Sequence, residues 1–151
     1  MNWTFATGIV AVYGATLSTW KVVSDHLEKR RSITVKITWG FETYGTELGP
    51  QCVLVTAMNT GHRTVTLRSA GLRLPNGRDM VNFLQSGDAR FPHELHSGQS
   101  CMISIPVEGV RDSLIRAGIV GKIWLTGFFR DALDKTYRSE RFEFDVNSST
   151  G

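Results

Sequence analysis

The first twenty residues, which contain no Lys, Arg, Asp or Glu, constrain this chain of 151 residues more than any other stretch. At about 1.5 Å per residue, a helix of this length crosses roughly the 30 Å hydrocarbon core of a bilayer. Trp3 and Trp20 lie near its two ends, where amphipathic rings favour the headgroup level. The pattern predicts a transmembrane helix over residues 1–23 and a basic juxtamembrane stalk over residues 24–32.

Small side chains recur every three or four residues along this predicted helix. Small residues let two membrane helices approach closely, so the helix offers a face for homo-oligomerisation. They are equally common in helices that do not associate, and both interpretations stay open. The predicted membrane-anchor residues are Trp3, Gly8, Ala11, Gly14, Ala15 and Trp20.

Three other interpretations of residues 1–20 compete with the spanning helix. A cleaved secretory signal needs a basic segment before its apolar region, and this sequence has none. A surface-lying helix needs a strongly polar face, whereas the polar side chains here are almost all hydroxyls. A buried helix of a globular fold is the third, because the mean hydropathy of the stretch is marginal for a membrane span. The spanning helix is favoured.

The charges that follow the helix predict its orientation. Lys21, Lys29, Arg30 and Arg31 are expected to fix the topology and to contact lipid headgroups, since no Lys or Arg precedes the helix. Cationic loops stay on the cytoplasmic side, so a single-pass protein in the plasma membrane with a cytoplasmic carboxyl-terminal domain is expected.

Most of the net charge of +3 lies in residues 21–31, which hold four Lys and Arg against Asp25 and Glu28. Residues 33–151 contain 13 Lys and Arg against 12 Asp and Glu, a balance of +1. A domain that binds nucleic acid normally has a basic face of its own, so nucleic acid is not expected as a partner. A cationic segment beside anionic membrane lipid accounts for the balance better.

Residues 33–146 show the patterning of short β-strands. Residues 33–39 alternate between apolar and polar side chains, as half-buried strands do, and residues 52–58 are apolar enough for a central strand. Val110, Leu114 and Ala117 have the spacing of one helical stripe, with Gly118 placed to end the helix. The fold class predicted is mainly β, an antiparallel β-sandwich with one short helix, followed by a polar tail over residues 147–151. The other predicted strand segments are residues 63–68, 71–74, 79–83, 101–105, 122–130 and 136–146.

Cys52 and Cys101 are the only cysteines. Both lie in apolar strand-like runs, where a free cysteine behaves as a small core residue. A reducing cytoplasm would keep them as thiols, so no disulfide is expected.

Four histidines invite a metal-site interpretation, of which His93 and His96 are the closest pair, with Glu94 between them and His62 elsewhere. A zinc site needs three or four converging ligands, and the two cysteines are expected to be buried. Surface loop histidines are therefore expected, with no metal and no cofactor.

Nucleophilic catalysis has no clear candidate either. Ser97 and Ser100 are sequence neighbours of His96, but catalytic triads assemble across a fold. No nucleophile elbow and no phosphate-binding glycine loop occur in the sequence. Asp131 and Asp134 bracket a turn, where Asp commonly bonds the backbone. The chain is not expected to be an enzyme.

Arg63, Arg68, Arg73 and Arg78 recur every five residues. An odd spacing on a strand places neighbours on opposite faces, so these residues are not expected to form one cationic stripe for nucleic acid.

Three segments carry a family resemblance. Residues 57–67 with 71–77, residues 95–100 and residues 129–137 resemble, in turn, the first strand pair, the entry to a later strand and the last hairpin of immunoglobulin-like bacterial domains. Asp134 stands where the hairpin pattern usually has Gly. Together with the anchor, the chain is similar to small uncharacterised bacterial single-span membrane proteins with an immunoglobulin-like β-sandwich domain. That resemblance implies the bacterial inner membrane and no particular activity.

The leading functional expectation is a membrane-anchored cytoplasmic β-sandwich that binds another protein or holds an assembly at the membrane. Residues 41–50 and 85–96 are the candidate contact segments, since loops and sheet edges often bind partners. The alternative is a ligand-gated membrane effector, in which the β domain binds a small anionic signal and the helices oligomerise to perturb the membrane.

Overall fold

A computed structural model describes residues 32–44, 47–81 and 87–147. The predicted spanning helix over residues 1–23, all of the stalk but Ser32, and all of the tail but Asn147 lie outside the described residues. Within the described ranges no helix is both long and apolar enough to cross a membrane.

Eight strands and one helix make up this part of the chain. The elements are β1 (Ile33–Tyr44), β2 (Glu47–Asn59), β3 (Val65–Arg73), β4 (Asp79–Val81), β5 (His93–Leu95), β6 (Ser100–Pro106), α1 (Val107–Arg116), β7 (Lys122–Asp131) and β8 (Thr136–Asp145). The strands form two antiparallel sheets, sheet A in the order β1-β2-β6 and sheet B in the order β4-β3-β7-β8, with β5 paired to the same edge of β3 as β4. The mainly β, sandwich-like fold with one helix is confirmed.

The predicted alternation of β1 is correct where it faces the core. Ile33 and Val35 are buried, whereas Thr34 and Lys36 are exposed. The strand does not end at Trp39, as the sequence indicated. It continues to Tyr44 through a bulge, because pairing with β2 outlasts the apolar alternation.

The two sheets pack closely at a glycine. Gly127 of β7 faces Val55 of β2, and a Cβ atom added at this glycine would lie 2.6 Å from the Cγ1 atom of Val55. The missing side chain lets the two backbones approach, as glycine does in strands. Around this contact the inward residues of both sheets form one apolar core, including Val53, Leu125 and Phe129.

The helix α1 completes the core beside β2 and β6. Val107, Val110 and Leu114 are buried, whereas Ala117, predicted on the same stripe, is the exposed C-cap residue. The predicted end of the helix is correct: Gly118 has φ 72°, and the N–H of Ile119 donates to the Leu114 carbonyl oxygen at 2.9 Å. That bond is typical of a Schellman motif.

A buried asparagine holds the end of the sandwich where β1 begins. Asn59 is the last residue of β2 and fully buried. Its Nδ2 donates to the carbonyl oxygens of Arg63 at 2.7 Å and Leu95 at 2.8 Å, and its Oδ1 accepts from Gly61 N–H at 3.0 Å. One side chain therefore ties together β2, the following turn and β5.

A buried aspartate shapes the hairpin between β7 and β8 at this same end. Asp131 Oδ1 accepts from the N–H groups of Leu133 and Lys135, each at 2.9 Å, and Oδ2 accepts from the Tyr137 hydroxyl at 3.1 Å. Asp134 takes φ 61°, the left-handed conformation for which Gly is the usual choice. The prediction that Asp131 bonds the turn backbone is confirmed.

Replacement of Gly127 by Ala should destabilise the fold by about 1–3 kcal/mol, since overpacking a core displaces its neighbours. Combining Gly127→Ala with Val55→Ala should cost less than the sum of the two single changes, because the contacted methyl is gone. Gly109→Ala, in an open helical position, is the control and should be neutral or stabilising by up to roughly 1 kcal/mol. Urea unfolding of the four variants measures this. A Gly127→Ala protein as stable as wild type would contradict the close sheet contact.

Candidate functional site

The outer edge of β1 presents backbone groups that no other described strand pairs. The Thr60 N–H donates to the Ser32 carbonyl oxygen at 2.9 Å, in the same register that places Ile33 opposite Asn59. Opposed residues of an antiparallel ladder alternate between hydrogen-bonded and non-hydrogen-bonded pairs. Even-numbered residues of β1 therefore bond β2, and odd-numbered ones direct their N–H and C=O groups away from it. The outward-directed residues are Ile33, Val35, Ile37 and Trp39.

In the described part of the chain, no strand pairs with this side of β1. The register with β2 is regular from Ile33 to Phe41, so the described part of β1 presents a nine-residue edge without a bulge or a proline. An edge of that kind is a template for another strand.

The other sheet edges are covered, short or interrupted. On β6, the N–H groups of Asp88 and Ala89 donate to the Met102 carbonyl oxygen at 3.2 Å, and the Asp88 carboxylate accepts from Met102 N–H. β4 and β5 have three residues each. β8 has a bulge opposite Gly127 and exposed charged side chains, two common ways to discourage strand pairing. From Ile33 to Phe41 the register of β1 is regular, no other described strand pairs with its outer side, and Lys36 is its sole charged side chain.

A groove separates β1 from β8, the neighbouring edge strand of sheet B. Its volume is about 600 Å³, and its apolar lining includes Ile33, Val35, Ile37 and Phe142. Lys36 of β1 and Arg138, Glu140 and Arg141 of β8 supply the charged lining. We call this groove, together with the open edge of β1, the β1–β8 cleft.

Aromatic rings form a wall between β1 and β8. The Trp39 ring centroid lies 4.9 Å from that of Phe142 and 5.6 Å from that of Phe144. Trp39 is nonetheless 43% exposed, because β1 extends past the covered part of the core. Its ring is therefore held in place while a large part of its surface stays open to a partner.

The charged lining of the cleft is cationic. Lys36, Arg138 and Arg141 face a single lining carboxylate, that of Glu140, so the balance is three positive charges to one negative. All four side chains are exposed. Among the described residues, no ion pair is formed by any of the three cations. The cleft therefore favours an anionic occupant.

The predicted site residues are distributed unevenly over the structure. The anchor and headgroup residues, from Trp3 to Arg31, lie outside the described residues. In the contact segment 41–50, the described residues 41–44 and 47–50 belong to β1 and β2, and Phe41 and Leu48 among them are exposed. In the segment 85–96, Gly87–Ala89 covers the edge of β6, and His93–Leu95 forms β5.

Sequence reasoning missed the β8 half of the cleft. The alternation of Phe142 and Phe144 with charged residues identified a strand but gave no sign that it lies beside β1. Strand order depends on contacts that are distant in sequence. The signal that could have been used is the density of charge on residues 138–143, which is typical of an edge.

The cysteines have no catalytic arrangement. Cys52 is fully buried on the face of sheet A opposite the core, near Ser104, whose Oγ donates to Glu42 Oε1 at 3.1 Å. Burial raises the pKa of the Cys52 thiol; the Ser104 hydrogen bond opposes this, and the Glu42 carboxylate adds to it. Burial, with the charge of Asp88, raises the pKa of Cys101 to about 12. Both thiols are free and remain protonated at neutral pH, which makes them poor nucleophiles.

The histidines predicted to be surface residues lie in β5 and the adjacent turns. His96 and His62 are exposed, and His93 is partly buried. The His96 Nδ1 atom shares a 2.9 Å hydrogen bond with the Thr64 hydroxyl. Among the described residues, no three His, Cys, Asp or Glu side chains converge as metal ligands would.

The expected alternation of the arginines is wrong for one pair. Leu67 and Ser69 lie opposite consecutive residues of β7, so Arg68 is an extra residue in a bulge of β3. The bulge shifts the phase of the strand. Arg68 and Arg73, five residues apart, therefore both project away from the core.

These two arginines are tied to carboxylates. Arg73 Nε lies 2.7 Å from Asp79 Oδ1, and Arg130 Nη2 lies 3.2 Å from the Oδ2 atom of the same aspartate. Arg68 Nη2 lies 2.6 Å from Asp134 Oδ1. Partial neutralisation weakens the case for a continuous nucleic-acid stripe, which needs free cations along one face.

Comparison with known proteins adds no family to this description. The sequence matches no protein-family model and no curated protein. The resemblance to immunoglobulin-like bacterial membrane proteins therefore stays a prediction.

Amide hydrogen exchange should alternate along β1. The Val35 and Ile37 N–H groups, directed away from β2, should exchange much faster than those of Lys36 and Thr38, which bond β2, because exchange requires a broken hydrogen bond. Exchange followed by two-dimensional NMR on the full chain resolves each amide. The β2–β6 pairs provide the control, since both sides of β2 are paired. Equal protection of neighbouring residues in β1 would mean that its outer edge is covered.

Proposed function

We propose that this chain is a membrane-tethered interaction module that binds another protein through the β1–β8 cleft. Residues 1–23 form the transmembrane anchor, residues 24–32 the basic stalk, and residues 33–146 an immunoglobulin-like β-sandwich on the cytoplasmic side of a bacterial plasma membrane. The observation that carries the proposal is the open edge of β1 beside an apolar, cationic groove.

Strand addition suits this edge. An extended segment that joins a sheet gains main-chain hydrogen bonds, and pockets beside the strand select its alternate side chains. The cleft supplies both: unpaired backbone on β1 and an apolar floor that includes Val35 and Phe142. A catalytic role has no comparable support, since the described residues offer no activated nucleophile.

The tether fits this use of the domain. The stalk leads directly into β1 at Ser32, and Ser32 is bonded to Thr60 and Gly61 at the end of the sandwich where β1 begins. β1 then runs away from this end of the sandwich. A partner bound along β1 would therefore extend away from the point of attachment and would not have to compete with the bilayer for the cleft.

The ligand-gated alternative is supported by a different surface. A depression of about 520 Å³ on the outer face of sheet B is lined by Arg73, Lys122 and Arg141 around the exposed ring of Trp124. Three cations suit a small anionic ligand, and the exposed indole ring can stack on a planar one. We rank this second because Arg73 and Lys122 are already paired with Asp79 and Glu143.

The membrane topology is tested with a carboxyl-terminal tag in intact bacterial cells. We expect the tag to pellet with carbonate-washed membranes and to resist added protease until the cells are lysed. A tag in the supernatant would remove the anchor from the proposal. Digestion in intact cells would place the sandwich outside and reverse the predicted orientation.

The binding surface is tested with a photo-crosslinking residue at Thr38, which is exposed and lines the cleft. The same residue at Glu108, exposed on α1, is the control position. We expect an adduct from Thr38 that is lost in Ile37→Pro, which removes an outward N–H, and retained in Ile37→Ala, which removes more side chain but keeps that N–H. Adducts that form equally at both positions, or that survive Ile37→Pro, would refute the cleft as the site.

A further inference from the structure

We infer that the natural occupant of the β1–β8 cleft is an acidic, extended segment of a partner protein, in which apolar residues alternate with Asp or Glu. This rests on the proposed function and adds the chemistry of the partner. It follows from three properties of the cleft: the direction of the free backbone groups, the apolar floor and the sign of the rim charges.

The backbone sets the length of the segment. The outward N–H and C=O groups belong to alternate residues between Ile33 and Trp39, a span of seven residues in regular register. At about 3.3 Å per residue that edge is roughly 20 Å long. A guest strand of about seven residues can pair along all of it.

The apolar lining of the cleft determines which side chains the guest segment carries on its inward face. Side chains of a strand alternate between its two faces, so every second guest residue would point towards the core side of the cleft. Ile33, Val35, Ile37 and Phe142 lie there, beside the half-exposed ring of Trp39. Apolar guest residues, preferably β-branched or aromatic, suit these positions.

The charged residues along the cleft determine which side chains the guest segment carries on its outward face. The remaining guest side chains would point outwards between Lys36 on one side and Arg138 and Arg141 on the other. Carboxylates at these positions would meet three cations and one anion, Glu140. Basic guest residues would meet the same cations at close range and would be rejected.

A second copy of this chain fits less well. Two copies pairing edge to edge through residues 33–41 would bring together two segments whose sole charged residue is Lys36. The guest strand would then add positive charge to a cationic rim. Charge complementarity therefore favours a different, acidic partner over self-association.

Three fluorescent seven-residue peptides test the inference on the purified full chain. Each alternates valine with a second residue: glutamate, threonine or lysine. We expect binding in that order, with the glutamate peptide at least tenfold tighter than the lysine peptide by fluorescence anisotropy at low salt. The difference should shrink as salt is added, because exposed charge pairs are screened.

Charge reversal provides the decisive variant. Lys36→Glu combined with Arg138→Glu should weaken binding of the glutamate peptide by about tenfold, because two attractive charge pairs become repulsive, and should favour the lysine peptide instead. The control is Arg63→Glu with Arg78→Glu, which changes the net charge equally at exposed turn positions away from the cleft. The control variant should bind the three peptides in the same order of affinity as the wild-type protein.

The outcomes separate the inference from the proposed function. If Ile37→Pro abolishes binding of all three peptides relative to Ile37→Ala, while charge reversal leaves their order unchanged, strand addition stands and the acidic partner is refuted. If Ile37→Pro leaves binding intact, both are refuted. Concentration-dependent dimers that Ile37→Pro disrupts would assign the edge to a second copy and overturn the inference.

Discussion

The approach of Gly127 to Val55 brings the two sheets together, and the rest of the architecture depends on this contact. With the sheets so close, inward positions accept only side chains that interdigitate, and both faces are apolar around the contact. Because strand side chains alternate, a one-residue slip would turn the whole apolar set of a strand towards water. Burial at the sheet contact therefore sets the register of every paired strand, including that of β1 with β2.

Two buried polar residues fix one end of this packed core. Asn59 bonds the Arg63 carbonyl and Asp131 bonds the Leu133 and Lys135 N–H groups, all in turns outside the strands, and a buried N–H or C=O without a partner is costly. Their side chains hold the turns after β2 and β7 in single conformations. The start of β1, bonded to the turn that follows Asn59, is positioned by the same network. The open edge is thus built on the most constrained end of the domain.

Local pattern was sufficient to predict most strands but not their neighbours. The alternation in residues 33–39, the apolar run of β2 and the β7–β8 hairpin each have a signal within ten or so residues, and the structure contains all three. β5 was missed because three residues are too few to show a period. The bulges at Arg68 and in β8 were missed because a bulge is defined by the partner strand. The cleft needs both the strand order and the bulge in β8, so its β8 half could not be inferred from pattern alone.

A regular strand edge that no described segment covers is costly to keep, and this gives the β1–β8 cleft its functional interest. Exposed backbone on a regular strand invites aggregation, and natural sheets usually interrupt or cover it. Here Gly87–Ala89 covers β6 and a bulge interrupts β8, so the same fold uses protective devices elsewhere. On β1 the sole charged side chain from Ile33 to Phe41 is Lys36. A lysine discourages unselective pairing while it still admits a strand that carries the opposite charge, which links the protection of this edge to the choice of its partner.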